Sequence, residues 1–426
     1  MKTKKIVLMF SFLSVFLLLP ILTGCGTDTP NTANAQTTDL MSGITPQTVE
    51  TTADLQGKEA AAITDFSVDL FQESLETEEN TLISPFSVLC ALAMTANGAQ
   101  GETLAQMEAV LGIPTSDLNH YLYTYLNQLP NNEKYQLHIA NSIWFTNDER
   151  FTVSQDFLQT NANYYNASIY KAPFDDTTTQ AINNWVKENT DGMIPTILDE
   201  IPQDAVMYLV NALAFDAQWD EPYEEYQIDT DTFTNASGKK QEAEFMHSSE
   251  NQYLADEYAT GFLKYYADET YAFVALLPQE GMSVQEYTAT LTGAHLQELL
   301  ANAQSTKVET GTPKFTSEYS VEMSQLLQNM GMTAAFDEDK ADFTKLGTST
   351  AGNIFISQVL HKTYLALDEN GTKAGAATAV LATDEAAAEE PEEPKIVYLN
   401  RPFVYLLIDC EANLPLFMGT VLDIES

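Results

Sequence analysis

Apolar residues recur along this chain with spacings that predict both helices and strands. Residues 88–97 are apolar at helical spacing. Within 182–186 the apolar residues fall at positions i, i+3 and i+4, which predicts an amphipathic helix. Residues 207–215 are instead apolar without strict alternation, a pattern typical of a strand buried on both faces. Residues 271–278 predict another strand.

A different pattern runs from residue 372 to residue 380. Every side chain in this stretch except Lys373 is small or β-branched. Because successive side chains of a strand point to opposite faces, one face of an extended segment would carry Thr372, Ala374, Ala376, Thr378 and Val380. That face is small enough to lie in a core. The stretch is therefore either an insertable strand or a flexible linker.

The composition changes after Leu381. The next residues are mainly alanine, proline and six acids, which are Asp384, Glu385, Glu389, Glu390, Glu392 and Glu393. A packed strand does not accept such a sequence. The sequence therefore predicts that the segment ends in an exposed acidic loop.

The N-terminus has the sequence pattern of an export signal. Three lysines precede an apolar run over 6–21 that is too short for a comfortable membrane span. Leu22-Thr23-Gly24-Cys25 follows and resembles a bacterial lipobox. We therefore expect residues 1–24 to be a signal peptide and Cys25 to carry lipid, and the alternative is an ordinary signal cut near Ala33 or Ala35. The Thr-, Asn- and Gln-rich residues 25–57 are expected to form a disordered tether.

Charge excludes several classes of partner. The chain holds 19 basic and 61 acidic residues, a formal net charge of −42. Such an excess repels nucleic acid and anionic lipid. We therefore expect no nucleic-acid partner and membrane contact only through lipid on Cys25.

The sequence carries no motif of a catalytic, metal or cofactor site. GxSxG, HExxH, Walker and GxGxxG patterns are absent, and Ser84 is followed by Pro85 at a predicted helix start. Cys90 and Cys410 have no CxxC or His-rich context, so both are interpreted as packing residues, and a disulfide between them stays an alternative. We expect neither enzymatic activity nor a metal or cofactor.

Ordered landmarks along the chain resemble the serpin family. Glu369-Asn370-Gly371-Thr372, followed by small residues, is similar to the hinge of inhibitory serpins, although Lys373 departs from their usual Glu. Further matches follow in family order: 80–87, Asn211, Phe215, Trp219, Pro222, 313–315, 331–332, 335–336, 341–343, 356–357, 361–362, 401–403 and 415–419.

The resemblance implies one α+β domain over residues 58–426, although length alone suggests two or three domains. Its expected parts are a large, mostly antiparallel central sheet, further sheets, eight or nine helices and an exposed reactive-centre loop. It also implies a cluster beneath the sheet that controls the parting of two strands, formed by Ser84, Ser87, Asn211 and His361. Trp219 would pack where the hinge meets the sheet, and Lys314 would pair with Glu369.

The resemblance further implies a monomeric suicide inhibitor of serine proteases. The hinge that would insert into the sheet comprises Glu369, Gly371, Thr372, Ala374, Gly375, Ala376, Ala377 and Thr378. A non-inhibitory serpin that acts as a surface binding or chaperone module is the main alternative. A plain surface adhesin is a third.

Counting from the hinge by the family's usual insertion length places the reactive bond at Glu385-Ala386, whereas counting back from Pro402 disagrees. No Arg or Lys lies between Lys373 and Lys395, so trypsin-like enzymes are expected to be poor targets. The flanking alanines favour elastase-like or subtilisin-like proteases, and acid-specific proteases are an alternative. The lipid would place this inhibitor on the outer surface of a bacterial cell.

Overall fold

Nine α-helices form in the part of the chain that the computed structural model describes, which is residues 37–50, 53–202, 205–372 and 393–424. They are α1 (Lys58–Ser74), α2 (Pro85–Ala96), α3 (Gly101–Leu111), α4 (Thr115–Gln128), α5 (Gln155–Tyr165), α6 (Asp176–Asn189), α7 (Val284–Thr288), α8 (Gly293–Ala301) and α9 (Ser324–Asn329).

Eighteen strands form in the same residues. They are β1 (Thr38–Asp39), β2 (Leu82–Ile83), β3 (Tyr135–Thr146), β4 (Phe151–Val153), β5 (Ser168–Ala172), β6 (Met207–Gln218), β7 (Ile228–Thr234), β8 (Lys240–Ala255), β9 (Ala259–Tyr265), β10 (Tyr271–Pro278), β11 (Gln304–Pro313), β12 (Phe315–Glu322), β13 (Gly347–Ser349), β14 (Gln358–Leu367), β15 (Gly371–Thr372), β16 (Lys395–Tyr398), β17 (Phe403–Asp409) and β18 (Leu414–Val421).

Local sequence explains where helices α2 and α6 begin. The Ser84 hydroxyl accepts a hydrogen bond from the Ser87 amide at 3.2 Å, and Pro85 occupies the first helical position of α2. Every residue of α2 is buried, as its continuous apolar sequence requires. The Asp175 carboxylate caps α6 by accepting from the Thr177 and Thr178 amides.

The central sheet has seven strands in the order β1-β5-β3-β6-β15-β14-β12. Its pairings are antiparallel except for β3 with β5 and β6 with β14. Along β6, Leu209 and Leu213 face the main core and α2, whereas Tyr208 and Val210 face α6. The strand predicted over 207–215 is therefore buried on both faces.

A second sheet, with path β16-β11-β8-β9-β10-β17-β18-β2 and β7 beside β8, closes the other side of the main core. Strands β13 and β4 form a small separate pair. The predicted α+β class, the large and mostly antiparallel central sheet and the number of helices are confirmed. The expected reactive-centre loop falls on residues 373–392 and lies outside the described residues.

The segment that follows α6 is bound to that helix. The Asn183 side chain accepts from the Ile197 amide at 2.8 Å and donates to the Leu198 carbonyl at 2.8 Å. Ile197 and Leu198 pack with Tyr208 of β6 and Leu360 of β14. This segment therefore covers the junction of the two strands on the α6 side of the sheet.

The predicted disordered tether is too long. Strand β1 pairs with β5, and the Leu40 amide donates to the Ile169 carbonyl at 2.9 Å. Tyr121 Oη donates to the Leu55 carbonyl at 3.0 Å. The apolar side chains of this segment pack against the main core, namely Leu40, Met41, Ile44, Ala53 and Leu55. The overall composition of this segment is polar, and for that reason the sequence did not reveal its packing. A few apolar residues are enough to hold a segment on an otherwise open sheet edge.

No described helix combines the length and the apolar character that crossing a membrane requires. The predicted signal peptide and Cys25 lie outside the described residues.

Candidate functional site

The predicted hinge begins inside the central sheet. Strand β15 pairs with the end of β6 through Gly371 opposite Gln218 and Thr372 opposite Ala217, and with β14 through Thr372 opposite Leu367. We call this end of the central sheet the upper end. Two hinge residues therefore occupy the gap between the two strands there.

A tight turn returns the chain from β14 into β15. The Asp368 carboxylate accepts from the Asn370 amide at 2.7 Å and from the Gly371 amide at 3.2 Å. The Asp368 amide donates to the Gly371 carbonyl at 2.9 Å. An aspartate at this position therefore folds the turn by its own side chain.

The two residues of β15 are fixed by close contact. A Cβ atom on Gly371, whose φ is +154°, would lie 1.9 Å from the Ala217 carbonyl oxygen, so only glycine fits. Thr372 is completely buried, and its hydroxyl lies 2.5 Å from the Tyr266 hydroxyl. Tyr266 was not among the predicted functional residues, because it lies on a different part of the chain and carries no local pattern.

Trp219 lies beside the hinge turn and binds it at two points. Its indole nitrogen donates to the Asp368 carbonyl at 2.9 Å, and its amide donates to the Asn370 carbonyl at 2.9 Å. The ring stacks on Tyr266 with centroids 4.3 Å apart. Trp219 thus holds the turn against the ring that contacts Thr372.

Lys314 lies on the other side of the turn. Its Nζ is 2.7 Å from Glu369 Oε2 and 3.5 Å from Glu244 Oε2. The hydrogen bond from Lys314 holds the pKa of the Glu369 carboxyl below its usual range. The pair is partly solvated, so it orients the turn more than it stabilises the fold.

A buried ion pair beneath the hinge was missed by the sequence analysis. Lys264 Nζ lies 3.0 Å from Glu250 Oε1, and the two side chains are 4% and 13% exposed. The ammonium also lies 4.4 Å from the ring centroid of Tyr223, whose amide donates to the Glu369 carbonyl. Removal of either charge would leave the other buried and uncompensated. The one sign of this ion pair in the sequence was Lys264 within the mainly apolar strand β9.

Below Thr372 the sheet is closed in the described residues. Strands β6 and β14 pair directly over seven positions, from Tyr208 with Gln358 to Ala214 with Tyr364. A longer β15 would have to separate these pairs. It would also have to displace the segment after α6 that covers them.

Five polar side chains meet under these pairs and form what we call the polar cluster. Four of them are the predicted Ser84, Ser87, Asn211 and His361, and the fifth is Asn141 of β3. The Ser84 amide donates to His361 Nε2 at 3.0 Å, so Nδ1 carries the proton and donates to Asn211 Oδ1. Asn211 Nδ2 donates to Ser87 Oγ and to Asn141 Oδ1.

The polar cluster ties the two strands that would have to part. Asn211 lies on β6 and His361 lies directly opposite it on β14. Sequence reasoning missed Asn141, which lies opposite Asn211 on β3, because nothing local marks an asparagine in a strand as a partner of a distant one. The side chains of Ser87, Asn141, Asn211 and the neutral His361 each carry a donor and an acceptor, so these four can exchange hydrogen bonds, whereas Ser84 reaches His361 through its backbone amide.

His361 is expected to make the native protein sensitive to acid. Burial lowers the pKa of His361 to about 3, whereas an unfolded histidine titrates near 6.5. Between these values only the unfolded chain binds the proton, so the free energy of unfolding falls as the pH drops, by at most about 1.4 kcal/mol per pH unit. Denaturant midpoints between pH 7 and pH 4 measure this slope.

The matched variant for this measurement is His361→Gln, which cannot titrate. It should show a shallower acid slope than wild type. An unchanged slope in His361→Gln would contradict the assignment to this residue.

The remaining candidate residues divide into two groups. Cys90 and Cys410 are both free thiols, and Cys90 lies in the main core. Among the described residues no group of three or more His, Cys, Asp or Glu side chains is placed to hold a metal ion. The other predicted residues lie outside the described residues, namely Ala374, Gly375, Ala376, Ala377, Thr378, Glu385, Ala386 and Cys25.

Comparison with known proteins gives the same fold. A serpin-like protein of Thermococcus kodakarensis is 30% identical over 369 residues, which are 85% of this chain and 85% of that protein. The crystal structure of tengpin, a thermophilic serpin, in its native state is 51% identical in sequence to this chain and superposes with a TM-score of 0.86. The aligned region covers 91% of this chain and 100% of tengpin. The latent state of tengpin is 48% identical over 88% of this chain and 100% of that one, with a lower TM-score of 0.77.

A family model described as Serpin (serine protease inhibitor) matches residues 61–424. That range contains the hinge turn, the closed pair of β6 and β14 and the polar cluster. Since the match spans most of the sequence and the fold agrees with solved relatives, this chain belongs to the serpin family.

Proposed function

We propose that this serpin inhibits serine proteases by acting as a suicide substrate. The observation that carries the proposal is the position of Gly371 and Thr372 between β6 and β14, as the first two residues of a strand. Continuation of the same antiparallel register would bring Thr378 opposite both Asn211 and His361. The Thr378 hydroxyl could then replace the hydrogen bond that these two side chains lose when their strands part.

In the proposed reaction the serine hydroxyl of the protease attacks the carbonyl carbon of Glu385. The bond to the Ala386 nitrogen breaks, the protease's general base passes the serine proton to that leaving amine, and residue 385 remains as an ester of the protease serine. Residues from 386 onward stay attached to β16. The segment from 373 to 385 is then free to extend β15.

Extension of β15 is favourable for the residues that would enter the sheet. The inward-facing positions include Ala374, Ala376 and Val380, which are small enough to enter without overfilling the core beside Phe215 and Leu213. A strand of about 13 residues at roughly 3.3 Å per residue spans over 40 Å. The attached protease would be carried that far, and its active site would be distorted before water hydrolysed the ester.

The residues around the proposed reactive bond support small-pocket proteases as targets. Elastase-like or subtilisin-like enzymes would take Thr383, Ala386 or Ala387 in their small pocket and would cut after that residue, within two bonds of Glu385-Ala386. Proteases that accept Glu385 or Asp384 are the second class. The inhibitor is proposed to act as a monomer.

Incubation of the purified protein with a panel of serine proteases tests the proposal. An elastase-like or subtilisin-like enzyme should give a covalent band that survives SDS, and mass spectrometry should place the cut between Thr383 and Glu389. A cut loop without any covalent band would mean that the protein is a substrate and not an inhibitor. That result would favour a binding or chaperone role.

We also propose that lipid on Cys25 anchors the protein to the outer surface of a bacterial cell. In detergent phase separation wild type should enter the detergent phase, and Cys25→Ala should stay in the aqueous phase. The reason is that an acyl chain contributes about 0.8 kcal/mol per buried CH₂ group. Wild type recovered wholly from the culture medium without lipid would contradict the anchor.

A further inference from the structure

Three consecutive backbone carbonyls of the hinge turn accept hydrogen bonds from two residues. The Trp219 indole nitrogen donates to the Asp368 carbonyl, and the Trp219 amide donates to the Asn370 carbonyl, both at 2.9 Å. The Tyr223 amide donates to the Glu369 carbonyl between them, also at 2.9 Å. Whatever fixes these two aromatic residues therefore fixes the turn that leads into β15.

The rings of both residues lie around one buried ammonium group. Lys264 Nζ is 4.4 Å from the ring centroid of Tyr223 and 5.4 Å from that of Trp219. The two rings meet edge to face, with centroids 6.4 Å apart and an angle of 84° between their planes. An ammonium within about 6 Å of a ring centroid is attracted to the ring, most strongly where water is excluded. Lys264 therefore attracts both rings to one point beneath the hinge.

Glu250 completes this arrangement. Its Oε1 lies 3.0 Å from Lys264 Nζ and accepts a hydrogen bond from the Ser248 hydroxyl at 2.5 Å. Ser248 Oγ in turn lies 3.4 Å from the Tyr223 hydroxyl. Lys264, Glu250, Ser248 and Tyr223 thus form a closed ring of contacts, which we call the hinge anchor.

Stability alone does not explain a charged pair in the hinge anchor. The side chains of Lys264 and Glu250 are almost fully buried, and the desolvation of two charges offsets most of their attraction, so an apolar pair of similar volume is often as stable. An apolar pair would lack the attraction of the ammonium for both rings. The position of this ammonium between the rings that bind the turn points to a role in placing the turn.

We propose that Lys264 is a positioning residue for loop insertion. It acts through Trp219 and Tyr223, and it holds the hinge turn so that β15 stays between β6 and β14 in the intact protein. Its carboxylate partner keeps the ammonium charged and paired in the core. The effect on inhibition rests on the proposed inhibitory function, whereas the placement of the turn does not.

Hydrogen exchange in the intact protein tests the placement of the turn without any protease. Lys264→Met/Glu250→Gln removes both charges and so leaves neither unpaired. The amides of Trp219, Tyr223 and Asp368 should exchange about tenfold faster than in wild type, which is the effect expected from the loss of two cation–π contacts. The amides of β17 and β18 should keep their wild-type rates.

The stoichiometry of inhibition gives the functional result. With a protease that forms the covalent band, the double variant should consume about three times as many inhibitor molecules per protease, because a displaced turn delays insertion relative to hydrolysis of the ester. Lys264→Arg keeps a positive charge that rings attract. It should therefore keep the wild-type exchange rates at Trp219 and Tyr223.

Lys171→Met is the matched control, since Lys171 Nζ also lies over an aromatic ring, at 5.2 Å from the centroid of Phe151. Lys171 lies beside the end of β3 that is far from the hinge. This variant should leave exchange at the hinge turn unchanged. Unchanged exchange at the turn in the double variant would overturn the proposal. So would an equal acceleration in β17 and β18, which would show a general loss of stability.

Tyr223→Leu replaces the double variant if the latter does not fold. It keeps the backbone amide at position 223 and the ion pair, but it removes one of the two rings. Exchange at the turn should again be faster than in wild type, and wild-type rates would overturn the proposal. If no protease forms the covalent band, the inhibitory function fails as a separate result, and exchange still decides whether Lys264 places the turn.

Discussion

Cleavage of the loop between Thr383 and Glu389 should raise the midpoint of thermal unfolding by tens of degrees. The freed segment would extend β15 and form backbone hydrogen bonds to both β6 and β14, each contributing roughly 1 kcal/mol. In a domain of this size 1 kcal/mol moves the midpoint by only about 2 °C or less, so a shift of tens of degrees requires a whole new strand. Scanning calorimetry before and after clean nicking measures the shift.

The nicked Ala374→Pro variant is the control for that experiment. Proline removes a ladder donor near the start of the inserted segment, so this variant should gain far less on cleavage. Equal midpoints for intact and nicked wild type would mean that the segment does not enter the sheet. The non-inhibitory alternative would then be the better description.

Thr372→Arg should convert the inhibitor into a substrate. The Thr372 side chain is completely buried against Tyr266, and an unpaired charge there costs several kcal/mol. Because Thr372 is already seated in the intact protein, an arginine there should be expelled from the sheet, and insertion would then have to bury its charge. Each 1.4 kcal/mol slows a step about tenfold, so insertion should fall behind hydrolysis of the ester. The number of inhibitor molecules consumed per protease should rise at least about tenfold, which titration of residual protease activity measures.

Lys373→Arg provides a matched comparison, because it places the same side chain one residue later on the opposite face of the strand. Its stoichiometry should equal that of wild type. Inhibition that is equally efficient in Thr372→Arg and Lys373→Arg would refute the insertion register. Direct unfolding measurements on both intact variants would separate a loss of insertion from a loss of folding.

Local sequence was enough to predict the elements that carry strong periodicity. The helix around 182–186 and the strand over 207–215 lie where their apolar spacing predicted them, because burial on one or both faces constrains the sequence directly. Gly371 and Thr372 were also singled out by the sequence, and both occupy positions where backbone geometry and close packing depend on residue type. Their role as the start of a hinge stays a prediction.

Contacts between distant residues could not be predicted in the same way. Lys264 and Glu250 belong to neighbouring strands, and neither position reveals that the other neutralises it. Asn141 completes the polar cluster only because β3 lies beside β6. The packed residues 37–50 escaped notice for a related reason, since a short edge strand needs few apolar side chains.

The seat of Gly371 and Thr372 has a kinetic consequence for the proposed inhibitor. When a strand joins a sheet, the first contacts form slowly because they must offset the entropy lost when two chain segments are brought together. Later contacts form next to existing ones and do not meet this cost. Here those first contacts exist before any protease arrives. The inserting segment would therefore start in the correct register, and the separation of β6 from β14 would be the rate-limiting step. Substitutions that weaken that junction should therefore accelerate trapping, and with it the risk that an uncut molecule inserts its own loop.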